Sequence, residues 1–230
     1  ISGLSKRIVE LRRKKSAWAV QGKSITALED ILQRVSQEDS MEKKLLFNPL
    51  STDDVSKRRI IKGQTTNLIN LNNVKYKWAN KMFDIMIANH WIPDKIDMSM
   101  DLRAYERLSE HERHSYDGIL SFLVFLDSLQ TANLPNIAEY ITAPEVAPLI
   151  QIQDFQEVIH AKSYAYVIES VIPADRREGI YEFWRESDAL YERNNLITEI
   201  YERFRKDPSD ANFTHVLIAN YALEGLYFYN

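Results

Sequence analysis

The stretch Gln151–Val171, QIQDFQEVIHAKSYAYVIESV, decides how this chain folds. It is bounded by Pro148 and Pro173 and contains neither Gly nor Pro. Its apolar residues follow no strand-like alternation, so it reads as one long helix that stops before Pro173. Within it Glu157 and His160 form Glu-x-x-His, which sets a carboxylate and an imidazole one turn apart on the same face. No other Glu-x-x-His occurs in the sequence.

A paired Glu and His on a half-buried helix would have this spacing without any metal. In helix bundles the same spacing builds dinuclear carboxylate sites, with the Glu between two metals and the His binding one of them from inside. Two further acids bear on the choice. Asp127 lies in Tyr116–Gln130 (YDGILSFLVFLDSLQ), which reads as a helix buried on all sides, and Glu224 lies in Ala222–Phe228 (ALEGLYF). Burying an ionised carboxylate without a partner costs several kcal/mol or more. No Lys or Arg stands within a turn or two of either acid, and divalent cations would supply the missing positive charge. Iron or manganese suits a site rich in carboxylate, with imidazole and without sulfur. Tyr164 follows His160 by one further turn on the same face, either as a core tyrosine or with its phenol close to a metal.

Composition narrows the classes. The chain has 230 residues, enough for one domain, and no cysteine, which removes disulfide frameworks, thiolate metal sites and cysteine nucleophiles. A formal net charge of -4 argues against a nucleic-acid partner. Ile1–Val20 is too charged for a signal peptide and no run is long and apolar enough to span a bilayer, so the expected compartment is the cytoplasm. Six Gly and seven Pro are few, and with abundant Leu, Glu, Lys and Arg they point to an all-α fold.

Around the decisive helix the chain divides as follows. Residues 1–45 read as a charged helical extension with a basic run at Arg12–Lys15, and residues 46–75 as an extended arm packed on something larger. Tyr76–His90 reads as an amphipathic helix with its apolar stripe at Trp78, Met82, Ile85 and Met86, ended by Trp91-Ile92-Pro93. Leu102–Glu112 begins a polar helix. Asn133–Pro148 holds three prolines and reads as a loop with at most one helical turn. Asp175–Arg205 is strongly amphipathic, and Asn212–Tyr229 is the last apolar helix. Gly22-Lys23-Ser24 lacks the earlier glycine of a phosphate-binding loop, and Asn212-Phe213-Thr214 matches a glycosylation pattern by chance. His111 and His114 sit in the setting of an exposed helix.

Five segments, in this order, resemble the small (β) subunit of class I ribonucleotide reductase. They are Lys75-Tyr76-Lys77-Trp78, then Trp91-Ile92-Pro93 with Ile96-Asp97-Met98-Ser99, then Phe125-Leu126-Asp127-Ser128-Leu129-Gln130. Gln156-Glu157-Val158-Ile159-His160 with Ser163-Tyr164, and Leu223–Tyr229, complete the set. The similarity runs from about Phe47 to Asn230. It implies a ferritin-like helical bundle, with a dimetal-carboxylate domain over residues 46–230. It also implies metal ligands at Asp127, Glu157, His160 and Glu224, a radical on Tyr164, and radical transfer through Trp91. The implied cofactor is dinuclear iron, dinuclear manganese or a mixed pair, with dioxygen as oxidant. The implied partners are the large (α) subunit, which reduces ribonucleotides, and a second copy of the chain.

The family completes its centre with a second Glu-x-x-His on a later helix, and this sequence has one copy. The expectation is therefore that the C-terminal part of the domain is missing and that a complementary chain or segment closes the site. Two other readings stay open: a ferritin-like dimetal oxidase without a large subunit, and an inert helical fragment that contributes only packing surface.

Overall fold

The computed structural model describes residues 39–229. The helices expected within residues 1–38, the basic run and Gly22-Lys23-Ser24 lie outside the described residues. Among the described residues the regular structure is helical, as the composition implied. The helices are α1 (Lys77–Ala88), α2 (Asp101–Glu106), α3 (Glu110–Ala138), α4 (Ala147–Val171), α5 (Arg177–Glu186), α6 (Asp188–Lys206) and α7 (Asp210–Gly225). Short 3₁₀ turns occupy Val55–Lys57, Pro93–Lys95 and Tyr227–Tyr229.

α3 and α4 pack against each other as the central pair; α5 lies on α3, α6 on α7, and α1 on α4. A larger apolar cluster holds Leu126, Leu134, Ile137, Phe204, Val216 and Leu223. A smaller one holds Tyr105, Leu120, Ile168, Val171, Ile172 and Ile180. Between Asp117 and Gln130 only Ile119 and Ser128 are exposed, so the central part of α3 is buried on nearly every side, as read from its sequence.

Several boundaries differ from the sequence reading. The polar start at Leu102–Glu112 is two helices, because Ser109 caps α3: its hydroxyl accepts from the Glu112 amide while the Glu112 carboxylate accepts from the Ser109 amide. The loop expected from Asn133 is in fact the last part of α3, which runs through Pro135 to Ala138. Burial of Leu134 and Ile137 in the larger cluster outweighs the backbone hydrogen bond that Pro135 cannot make. α4 starts four residues earlier than Gln151, with Pro148 in its first turn, where a missing N–H costs nothing. The amphipathic run Asp175–Arg205 breaks at Ser187 into α5 and α6. In α1 the inward residues are Ala79, Phe83 and Met86, while Trp78, Met82 and Ile85 are exposed, so the apolar stripe read from spacing is mostly the outer face.

The expected arm is present and begins earlier than residue 46. Residues 41–45 are in neither helix nor strand, and the Met41 amide donates to the Pro208 carbonyl at 2.7 Å. The arm continues over the α3–α4 connection, where the Thr142 amide donates to the Ile60 carbonyl at 2.7 Å. An internal ion pair fastens it. Arg58 donates through a guanidinium nitrogen to Glu145 Oε2 at 3.0 Å, and the two side chains are 5% and 1% exposed. Glu145 Oε1 accepts the amides of Lys75 and Tyr76 at 2.9 and 3.2 Å.

Candidate metal centre

α3 brings Asp127 to the centre, α4 brings Glu157 and His160, and α7 brings Glu224. One ligand atom from each of Asp127, Glu157 and His160 lies within 4.8 Å of the others. Asp127 has no exposed surface, and neither of its carboxylate oxygens has a hydrogen-bond partner. Burial, then the nearby charges of Glu157 and Glu224, push the Asp127 carboxyl up to about 8, with His160 pulling the other way.

His160 Nδ1 lies 3.0 Å from Glu157 Oε2 across one helical turn. That hydrogen bond raises the imidazole above its ordinary pKa against the opposing effect of burial. Glu224 adjoins the three residues. Burial raises its pKa first, then the charge of Glu157 and a hydrogen bond to it, while the Gln130 and Gln153 amides oppose the rise. Gln130 Nε2 donates to Glu224 Oε1 at 2.6 Å, and Gln153 Nε2 donates to the same oxygen at 3.2 Å.

Tyr164 is half-buried one turn beyond His160. Burial and the charges of Asp127 and Glu157 push its phenol up to about 12, so it stays protonated. It packs against the smaller apolar cluster beside Ile168, whereas Phe228 packs against the larger one. The Trp91 ring stacks on His160, with centroids 6.2 Å apart and planes at 23°. A cleft of about 240 Å³, lined by Asn89, His90, Trp91, Gln156, Ile159 and His160, opens beside that stack.

Asp127, Glu157 and His160 thus form a compact cluster, and Glu224, Tyr164 and Trp91 surround it. The cluster fits a cation. A wholly buried carboxylate with two unpartnered oxygens, facing a second carboxylate and an imidazole, lacks positive charge, and oxygen and imidazole donors suit iron or manganese. His111 and His114 are exposed on the first two turns of α3, as expected. The sequence reading missed the amides. Gln130 lies three residues after Asp127, Gln153 four before Glu157 and Asn220 four before Glu224. That spacing puts each on the face of its helix that carries an acid, and could have revealed them.

The family model of the ribonucleotide reductase small chain matches residues 68–230. Ribonucleoside-diphosphate reductase subunit beta of Treponema pallidum is 44% identical over 190 residues, covering 83% of this chain and 54% of that protein. The subunit beta of Halalkalibacterium halodurans is 34% identical over 192 residues, covering 84% of this chain and 55% of that protein. The solved ribonucleotide reductase R2 subunit from Clostridium botulinum is 47% identical with a TM-score of 0.79, covering 83% of this chain and 59% of that one. The chain spans about half the length of these curated relatives. Their fold is the ferritin-like helical bundle expected from the sequence. Similarity over most of the chain, in both sequence and fold, leads to one assignment: the chain belongs to the ribonucleotide reductase small-chain family.

Proposed function

We propose that the chain is part of the radical-generating small subunit of a ribonucleoside-diphosphate reductase, working in the cytoplasm with a large subunit that reduces ribonucleotides to deoxyribonucleotides. The observation that carries this reading is Asp127: a carboxylate without exposed surface, with both oxygens unpartnered, beside Glu157 and His160.

Asp127, Glu157 and Glu224 would hold the metal pair through carboxylate oxygens, and His160 through Nδ1, which lies on the side of Glu157. When bound, two iron or manganese ions supply reduction of dioxygen and remove one electron from a nearby phenol. Tyr164 would be that phenol, giving up its proton together with the electron. Ile168, 1% exposed in the cluster against which Tyr164 packs, keeps water and reductants from the ring. Trp91, stacked on His160 and 39% exposed, gives the radical a path from the centre toward the surface, the electron that refills the centre moving inward by the same route.

The working form is a homodimer whose site is completed by a further segment. Support for that segment comes from donor number, since four side chains with one imidazole serve two metals sparsely. Apolar side chains on the ligand helices also face outward: Phe155 and Val158 on α4, Leu217 and Ile218 on α7.

The test uses the native protein with any chain that accompanies it, reduced, loaded with iron or manganese and exposed to air. Two metals per site and a tyrosyl signal in electron paramagnetic resonance are expected, and the signal should vanish in Tyr164→Phe while the metal content stays. Trace metal only would overturn the reading in favour of a packing fragment. A persistent radical in Tyr164→Phe would overturn the role of Tyr164.

A further inference from the structure

Glu224 differs from the other acids of the centre in having partners. One of its oxygens, Oε1, accepts from two side-chain amides, Gln130 on α3 and Gln153 on α4. Its other oxygen has no amide donor of this kind, and Glu157 lies close enough to the carboxyl to raise its pKa. The two oxygens of Glu224 therefore have unlike surroundings, one tied to two neutral donors and one without them.

What fixes this asymmetry is the orientation of a single amide. Gln130 has no exposed surface. The Tyr201 hydroxyl on α6 donates to Gln130 Oε1 at 2.8 Å. With Oε1 so occupied, Nε2 faces Glu224 Oε1 and also donates to Asn220 Oδ1. A reversed amide would set Gln130 Oε1 against the Glu224 carboxylate and the Asn220 oxygen, placing three acceptors together without a donor in a buried site. Tyr201 is itself 2% exposed, and burial raises its phenol above the ordinary value, which keeps it a donor. Four helices thus converge on the rotation of one carboxylate: α3 through Gln130, α4 through Gln153, α6 through Tyr201 and α7 through Asn220.

We infer that Gln130, oriented by Tyr201, is a positioning residue that reserves Glu224 Oε1 for hydrogen bonding and leaves Oε2 as the one oxygen with which Glu224 binds metal. This rests on the metal-centre reading above. Hydrogen bonds from donors to an ionised carboxylate are short and roughly twice as strong as neutral ones, so Oε1 yields to a metal only when the amides are removed. Without the amide arrangement Glu224 becomes free to chelate through both oxygens.

The probe is Mn(II) alone, added to the native protein with any accompanying chain, and compared with Gln130→Met and Tyr201→Phe. Glutamate carrying carbon-13 at the side-chain carboxyl lets infrared difference spectra report carboxylate binding, and Glu224→Gln identifies the band. In the unsubstituted protein the separation between the antisymmetric and symmetric stretches of Glu224 should exceed that of a free carboxylate, the mark of one-oxygen binding. In both variants it should narrow below the free value, and the Mn(II) dissociation rate should shift by about tenfold or more as the number of metal–oxygen bonds changes. Tyr201→Phe removes only a hydroxyl from a packed ring, so it decides the matter if Gln130→Met does not fold. An unchanged Glu224 band and dissociation rate in Tyr201→Phe would overturn the positioning role while leaving the metal centre standing. Absence of Mn(II) binding by the unsubstituted protein would overturn both.

Discussion

Asp127 carries a sign that pH experiments can read. Its folded-state pKa of about 8 lies far above the unfolded value near 3.9, so between the two the folded chain binds more protons than the unfolded one. The resulting stability is complete below the unfolded value and is lost as pH rises through the folded one. His160 and Glu224, both raised, act in the same direction. The metal-free protein should therefore melt at a progressively lower temperature from pH 5 to pH 8, and Asp127→Asn should flatten that slope in a calorimetric series. A cation must displace the same proton, so the apparent Mn(II) affinity of the unsubstituted protein should climb below pH 8, by up to roughly tenfold per pH unit, in titration calorimetry. Asp127 and Glu224 were legible because an acid in an apolar helix is costly and therefore conspicuous, and Glu157 and His160 because their spacing sets them on one helix face. Gln130 carries no charge to draw notice, and only its spacing from Asp127 marks it; Tyr201 was not legible, because a tyrosine with its hydroxyl hydrogen-bonded is ordinary in a core.

Among the helices, α4 was legible almost to its ends: an unbroken run between two prolines leaves little else to form. The α2–α3 break was not, because it depends on a reciprocal bond between Ser109 and Glu112 that also occurs unformed on exposed helix faces. Ser109→Ala should cost about 1 kcal/mol in urea unfolding and leave the metal content unchanged, since the cap lies at the far end of α3 from Gln130. The continuation of α3 through Pro135 and the break at Ser187 are tertiary outcomes, and the local pattern pointed the other way at each. The inner face of α1 was misread for a related reason. Periodicity marks where apolar residues align, and Trp78, Met82 and Ile85 align on a surface that these residues of the chain do not cover. Among the described residues no helix is long and apolar enough to cross a membrane.

At the scale of the whole molecule, the arm and the bundle are joined by a charge pair that water does not reach. Arg58→Met leaves Glu145 buried without its cation and should lower unfolding stability by about 3–5 kcal/mol in chemical denaturation. The arm should also become the first site of proteolytic cleavage, because its other ion pairs to the bundle, Lys43–Glu139 and Lys62–Asp210, are open to water. The sequence reading placed the arm on a larger body but could not single out Arg58 among 29 basic residues, since only the fold brings Glu145 to it. The same carboxylate that receives Arg58 accepts the amides of Lys75 and Tyr76, where α1 begins without a side-chain cap of its own. Those two peptide hydrogens stand in a segment without helix or strand, yet in deuterium they should exchange at the pace of the innermost helices, a clock set by a residue seventy positions away.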